Sequence, residues 1–308
     1  MNTWRKLRRT ILSVPANNLK MIEKSAGLSA DIIMLDLEDS VPLSQKEEAR
    51  VTAVKAVNSG IFSGKTVSVR VNPTGTAQIY KDIIALAQEC RGKIESVIIP
   101  KTDRAADIHF AEGLLRSLMA ESASDELIYI EPSIESAEGL ENISEIASAS
   151  ALNISLVFGI ADFTASTGGR LTSLSGHGEN DESVYPGHRF HYVMSRIVST
   201  ARANGLYPID APFGNFRDKE GLKKSCLTAT ALGFEGKWVI HPDQIETVNS
   251  VFAPSQEEIE RAGAIIQAYE NAGSNKSGSA QIEGRMIDGA TLRLAKLVHE
   301  KAELMKNV

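Results

Sequence analysis

The sequence predicts an α/β chain folded as a (β/α)8 TIM barrel with a C-terminal helical extension, and three observations carry the prediction. Eight short apolar runs recur along the 308 residues: Thr10–Val14, Ile32–Leu37, Thr66–Val71, Ser96–Pro100, Leu127–Ile134, Ser155–Gly159, Tyr207–Asp210 and Lys237–Ile240. Most are followed by a stretch with apolar residues every three to four positions, the period of an amphipathic helix. Alternation of this kind implies a parallel sheet, and eight units close most simply as a barrel, with an open doubly wound sheet as the competing topology. The length and the 43% apolar content suit one large core.

The helical segments read Ser44–Val57, Ala77–Cys90, Arg104–Met119, Ala137–Ala149 and Glu220–Ala231. Within the fifth run, Pro132 cannot donate to a sheet ladder, so a bulge is expected there. Two regions break the rhythm. Thr164–Pro186 is rich in Gly, Ser and Thr, has no apolar period, and precedes a helix starting near Gly187; loops of this length are usually functional or disordered. Beyond Ala253 come a helix around Ser255–Ala272, a flexible linker GSNKSGSAQIEG and a terminal helix from Asp288 to Met305. The barrel is therefore assigned to residues 1–253 and the extension to 254–308. A detachable helix after a linker suits a lid or an arm reaching another subunit, or simple packing on the same barrel.

Composition narrows the function. The net charge of −6, from 33 basic and 39 acidic residues, excludes a general nucleic-acid binder. No apolar run approaches the ~18 residues of a membrane span. The basic N-terminus has too short an apolar stretch before Pro15 for a secretory leader, so a cytoplasmic protein is expected. Cys90 and Cys226 match no metal or redox spacing and read as plain thiols in a reducing compartment. Residues 1–30 nonetheless carry Arg5, Lys6, Arg8, Arg9, Lys20 and Lys24 against Glu23 alone. Such a patch on an acidic protein suits an anionic small molecule, or is simply a solvated terminus.

In a barrel, polar residues at the carboxyl ends of the strands are the candidates for chemistry. They are Asp36, Glu38, Asp39, Arg70, Asn72, Lys101, Glu135, Asp162, Asp210 and His241. Crowded acids repel unless neutralised, and Glu135 with Asp162, on adjacent strands, can supply two ligands to a hard divalent cation such as Mg²⁺. Structural ion pairs with Arg70 and Lys101 are the alternative. Arg70, a permanently charged fork, suits a carboxylate or an enolate oxygen. In LDLED, alternation places Asp36 and Glu38 on one face and Asp39 at the turn; one of these acids can serve only to orient Arg70. His241, held extended before Pro242, is a rim histidine contacting substrate or structure, or a base. His188 and His191 are better read as a solvated helix face than as ligands, and Trp238 carries no motif.

In this order the segments RRTILSVPANNLKMIEKS, IIMLDLEDSV, VRVNP, VIIPK, IESAEGL, GIADF, WVIHPDQI and GRMIDGATLRLA resemble the citrate lyase β-subunit-like family of acyl-CoA lyases. The resemblance spans nearly the whole chain and implies a barrel enzyme that forms trimers or hexamers. It implies that Glu135 and Asp162 ligate Mg²⁺, and that Arg70 binds the oxo acid and stabilises the enolate. Glu38 and Asp39 would support the metal's waters and Arg70, with Lys101 and His241 at the substrate. Asp288 would be the acid contributed by a neighbouring subunit. Ser13, Pro15, Asn18, Lys20 and Lys24 would line the coenzyme A channel, the two lysines facing its phosphates. The implied activity is cleavage of a 3-hydroxyacyl-CoA to acetyl-CoA and a 2-oxo acid. A thioesterase using the same acids and a non-catalytic CoA-thioester-binding subunit are the competing readings.

Overall fold

A computed structural model of the chain describes residues 6–120, 126–176, 189–274, 280–282 and 285–306. It separates into two compact units, one running from Arg8 to Asn249 and the other containing the chain from Ser250 onward.

The first unit is a closed barrel of eight parallel strands in chain order. These are β1 (Thr10–Pro15), β2 (Ile32–Asp36), β3 (Thr66–Arg70), β4 (Ser96–Ile99), β5 (Tyr129–Ile134), β6 (Ser155–Phe158), β7 (Tyr207–Asp210) and β8 (Gly236–Val239). Each of the eight predicted runs becomes a strand. Most of their residues are buried, on both faces, as a parallel sheet beneath a helical layer requires. The intervening helices are α1 (Leu19–Ala26), α2 (Lys46–Asn58), α3 (Ile79–Glu89), α4 (Ala105–Ala120), α5 (Ala137–Glu141), α6 (Ile143–Ser148), α7 (Ile160–Ser166), α8 (His191–Ala203) and α9 (Lys219–Leu232), with α10 (Ile245–Phe252) after β8.

Register sets the site. Asp36 ends β2 directly opposite Arg70, which ends β3. Ile134 of β5 stands opposite Phe158 of β6, so Glu135 and Gly159 leave the sheet side by side. Ile11 of β1 opposes Trp238 of β8 and closes the barrel.

Three local expectations change. The predicted helix Ala137–Ala149 is divided at Asn142, whose side chain donates to Asp103 O at 2.9 Å. The expected long loop begins later, because Thr164–Ser166 close α7, which starts directly after Gly159. The part of that loop from 177 to 188, with His188, lies outside the described residues; His191 opens α8 on its exposed side. Around Pro132 the β4 side keeps regular pairing, Ile99 against Pro132. On the β6 side the register slips, since Ile130 pairs with Asn153 but Ser133 with Val157. One strand advances three residues while the other advances four, which is a bulge placed in the partner of the proline strand.

In the second unit α11 (Gln256–Ser274) packs on α12 (Gly289–Met305). Part of the expected linker is ordered as a strand: β9 (Ala280–Ile282) pairs antiparallel with β10 (Arg285–Ile287) just before α12. Among the described residues no helix is long and apolar enough to cross a membrane. Cys90 and Cys226 are both buried, and burial pushes each thiol up to about 11.

Candidate active site

The barrel mouth is organised by Arg70. Its Nε and Nη2 donate to Asp36 Oδ1 and Oδ2, each at 2.7 Å, in the bidentate geometry of an arginine–carboxylate pair. Asp36 also accepts from the backbone N–H groups of Glu38 at 2.9 Å and Ser40 at 3.2 Å. Burial opposes ionisation of Asp36, but the Arg70 charge and these bonds prevail and hold its carboxyl below the usual range. Asp36 is thus the orienting acid, and the turn LDLEDS wraps around its oxygens.

Glu38 stands across the same guanidinium, its Oε2 2.9 Å from Arg70 Nη1. Its Oε1 accepts from Lys101, whose ammonium also reaches Asp39 Oδ2 at 3.1 Å. The backbone beneath Glu38 is pinned by the buried Lys46 ammonium, which donates to Leu37 O and Glu38 O at 2.7 Å each. Lys101 has φ 49°, and no other described non-glycine residue has positive φ. Such conformations are strained and persist only where neighbours impose them. Here Thr102 N donates to Ser133 O at 3.1 Å, and Thr102 Oγ1 to Ile99 O at 2.8 Å. Gly139 completes the clamp, since a Cβ there would stand 2.5 Å from Thr102 O. The glycine of the ESAEG motif therefore lets α5 seat against the Lys101 turn. Ser136 of the same motif caps α5 by accepting from Gly139 N at 2.9 Å.

Glu135 extends the cluster. It is buried, and its Oε1 has no hydrogen-bond partner. Burial pushes its carboxyl up to about 7, against the Ser133 hydroxyl and the charges of Arg70 and Lys101, with the Glu38 charge adding to the rise. Gly159 makes room for it: a Cβ at Gly159 would lie 2.8 Å from Glu135 Cδ and nearer still to its Cγ. Gly159 N donates to Ile134 O at 3.0 Å, so α7 starts beside Glu135, and Asp162 lies on the first turn of that helix rather than on the strand end. A buried carboxylate oxygen without a donor is costly. An oxygen-ligated divalent cation satisfies it, and Mg²⁺ commonly takes only one or two protein carboxylates. Among the described residues no group of three or more His, Cys, Asp or Glu is placed to hold a metal; what fits such an ion at this mouth is the unpartnered Oε1 of Glu135.

Other candidates are committed elsewhere. Asp210 accepts from the buried Lys237 ammonium at 2.5 Å. Asn72 donates through N and Nδ2 to Asp82, which also holds Arg50 Nε at 2.7 Å. His241 accepts at Nδ1 from Asp243 N at 3.2 Å, and its ring stacks on Phe216 with centroids 4.3 Å apart. At the end of β1, Ser13 and Pro15 are half-buried, and Asn18 caps α1 by accepting from Met21 N at 3.1 Å. Lys20 and Lys24 are exposed one turn apart on α1. In the second unit Asp288 caps α12, its Oδ1 accepting from Ala290 N and Thr291 N at 2.9 Å each. These bonds, led by Thr291, hold its carboxyl below the usual range.

The basic patch expected over residues 1–30 is smaller than the sequence implies. Arg8 is buried, paired with Glu95 and Glu131. Arg9 forks onto Asp31 at 2.9 and 2.7 Å, and Arg5 lies outside the described residues. What remains on α1 is Lys20 and Lys24. Arg8 belongs to a polar layer below the site: Glu131 accepts from Ser96 and from Ser155 Oγ at 2.5 Å, with Ser68 Oγ at 3.4 Å. The available signal was alternation, which puts Glu131, Ser133 and Glu135 on one face of β5. Trp238, assigned no role from the sequence, lies under Arg70, whose Cζ is 5.4 Å from its ring centroid.

A model of the HpcH/HpaI aldolase/citrate lyase family matches residues 9–242. The chain is 35% identical to the L-malyl-CoA/beta-methylmalyl-CoA lyase of Rhodobacter capsulatus over 306 residues, covering 98% of this chain and 96% of that protein. It is 34% identical to the citrate lyase subunit beta of Leuconostoc mesenteroides subsp. cremoris, covering 98% and 95%. The crystal structure of CitE from Mycobacterium tuberculosis in complex with magnesium, acetoacetate and coenzyme A matches with a TM-score of 0.73 at 26% identity, covering 96% of this chain and 98% of that one.

Proposed function

Since this chain belongs to the HpcH/HpaI aldolase/citrate lyase family and is an oxo-acid lyase acting on CoA thioesters, we propose that it reversibly cleaves a 3-hydroxyacyl-CoA of the malyl-, citramalyl- or citryl-CoA type. The products are acetyl-CoA and a 2-oxo acid, and the cofactor is Mg²⁺. The observation that carries this reading is the orphaned, buried Oε1 of Glu135 beside the Arg70 fork.

Glu135 and Asp162 would hold the Mg²⁺, which when bound acts as a Lewis acid on the substrate's hydroxyl and carboxylate oxygens. Arg70 meets the oxo-acid carboxylate and the charge that builds on the thioester oxygen as the substrate hydroxyl gives up its proton to solvent, its oxygen becomes the oxo acid's carbonyl, and the electron pair of the breaking C–C bond forms an enolate. Removing one such preplaced donor costs roughly 3 to 4 kcal/mol of transition-state stabilisation. Asp36 keeps the fork aimed, while Glu38, Asp39 and Lys101 set the charge around it. Asp288 moves the proton at the acetyl carbon, to the enolate in cleavage and from the methyl group in condensation. Its capped, ionised state favours the abstracting role. In this reading Asp288 reaches the site of a neighbouring subunit in a homotrimer or hexamer. Lys20 and Lys24 face the phosphates of coenzyme A, whose thioester arm passes Ser13, Pro15 and Asn18, and His241 borders the substrate.

A Mg²⁺-dependent assay over a panel of acyl-CoAs, identifying the released acid, tests the reading. Acetyl-CoA with glyoxylate, pyruvate or oxaloacetate is expected. Free CoA with an intact hydroxy acid would instead establish a thioesterase. Asp162→Asn is expected to abolish metal-dependent turnover with an unchanged melting temperature, and full activity in that variant would remove the metal assignment.

A further inference from the structure

Trp238 is fixed in β8 one residue past Lys237, whose ammonium reaches Asp210 and, at 3.0 Å, Ser225 on α9. Alternation along the strand turns the indole the other way, into the barrel, where it is only 5% exposed. There it meets Arg70 from a strand that is not a neighbour of β3, with the guanidinium carbon over its ring.

The remaining contacts of Arg70 leave this one a specific task. Asp36 takes the Nε and Nη2 edge through two hydrogen bonds. That edge contact anchors the guanidinium but leaves Nη1 at the end of a lever. Glu38 Oε2 is close to Nη1 as an ion pair, yet accepts no hydrogen bond from it. The N–H groups of Nη1 are thus without a hydrogen-bond acceptor among the described residues, and they are the ones a substrate oxygen can use. Where they point depends on the tilt of the guanidinium, on which the Glu38 charge acts from the Nη1 end and the Trp238 ring acts from the face.

We propose that Trp238 is a positioning residue for Arg70: its ring fixes the tilt of the guanidinium so that Nη1 meets the oxo-acid carboxylate. The inference rests on the assignment of Arg70 to that carboxylate. A buried cation–π contact shifts an equilibrium by up to roughly thirtyfold, whereas a tryptophan that merely fills space would be replaced equally well by any apolar side chain of similar bulk.

Calorimetric titration with pyruvate and with glyoxylate, in saturating Mg²⁺, tests this. Trp238→Leu should weaken oxo-acid binding about tenfold, while Trp238→Phe, which keeps a ring, restores most of it, and acetyl-CoA binding is unchanged in both. In an Arg70→Lys background, Trp238→Leu should add no further loss. Equal weakening by Leu and Phe, no weakening by Leu, or a full loss persisting in Arg70→Lys would overturn the proposal. If Arg70→Lys alone binds both oxo acids as the parent does, the assignment of Arg70 fails, and this inference with it. Should Trp238→Leu not fold, emission decides: the chain has two tryptophans, so Trp4→Phe leaves Trp238 as the sole reporter. Arg70→Lys should then shift its emission, and an unmoved spectrum would overturn the contact.

Discussion

Lys101 donates to Glu38 from a backbone with φ 49°, a conformation in which no other described non-glycine residue is found. The ion pair and the strained turn are one device, because the same turn that bends Lys101 back over the mouth is clamped by Ser133 O and Gly139. Lys101→Ala and Lys101→Gly both remove the ammonium, but only glycine adopts this conformation freely. Lys101→Gly should therefore be the more stable variant by about 1 kcal/mol in thermal or denaturant unfolding. The reverse order would show that the turn is unstrained.

Gly159 and Glu135 share a space that holds only one side chain. Gly159→Ala should displace Glu135 and lower Mg²⁺ affinity about 10- to 100-fold by calorimetry, as loss of support around a ligand does. An unchanged affinity would mean that Glu135 is not a ligand, or that α7 yields without cost.

Burial of Glu135 also predicts a pH dependence. Its carboxyl lies at about 7 in the fold against an ordinary 4.5. Between those values the folded, metal-free protein retains a proton that the unfolded chain has released, so this group's contribution to stability falls as pH rises through the window. The ceiling is on the order of 3 kcal/mol. Without metal, Glu135→Gln should melt above the parent at pH 8 and level with it near pH 4, and saturating Mg²⁺ should reverse the order at pH 8. Identical melting of both proteins at pH 8 without metal would contradict the burial argument.

Sharing of Asp288 between subunits is open to complementation. Asparagine is also a good helix cap, so Asp288→Asn removes the acid while keeping α12. Mixed with Arg70→Ala, itself inactive, it should recover part of the turnover through hybrid sites. No recovery despite demonstrated subunit exchange would place Asp288 with its own barrel.

The parts of the site readable in the sequence are those at strand ends. Arg70, Glu38 and Glu135 follow apolar runs, and closure of the sheet leaves such positions only one place to go. Asp162 follows β6 as its place in the sequence indicates, but it stands on the first turn of α7, which begins directly after Gly159. Trp238 and Lys46 were not legible, since each acts across elements distant in the chain, Trp238 on Arg70 and Lys46 on the backbone after β2. Arg8 and Arg9 misled in the opposite sense. A run of cations looks like surface, yet their partners, Glu131 and Asp31, become visible only when β1 is seated among its neighbours.

The polar layer around Arg8 bears on how the barrel is made. Arg8 lies 123 residues before Glu131, so a half-barrel ending short of β5 would pair it with Glu95 alone. Removing one partner of a buried ionic cluster is costly even where another remains. The full set of partners for Arg8 is complete only with the strand that also carries Glu135, so the charge balance of the barrel interior and the placement of the site carboxylate depend on the same strand.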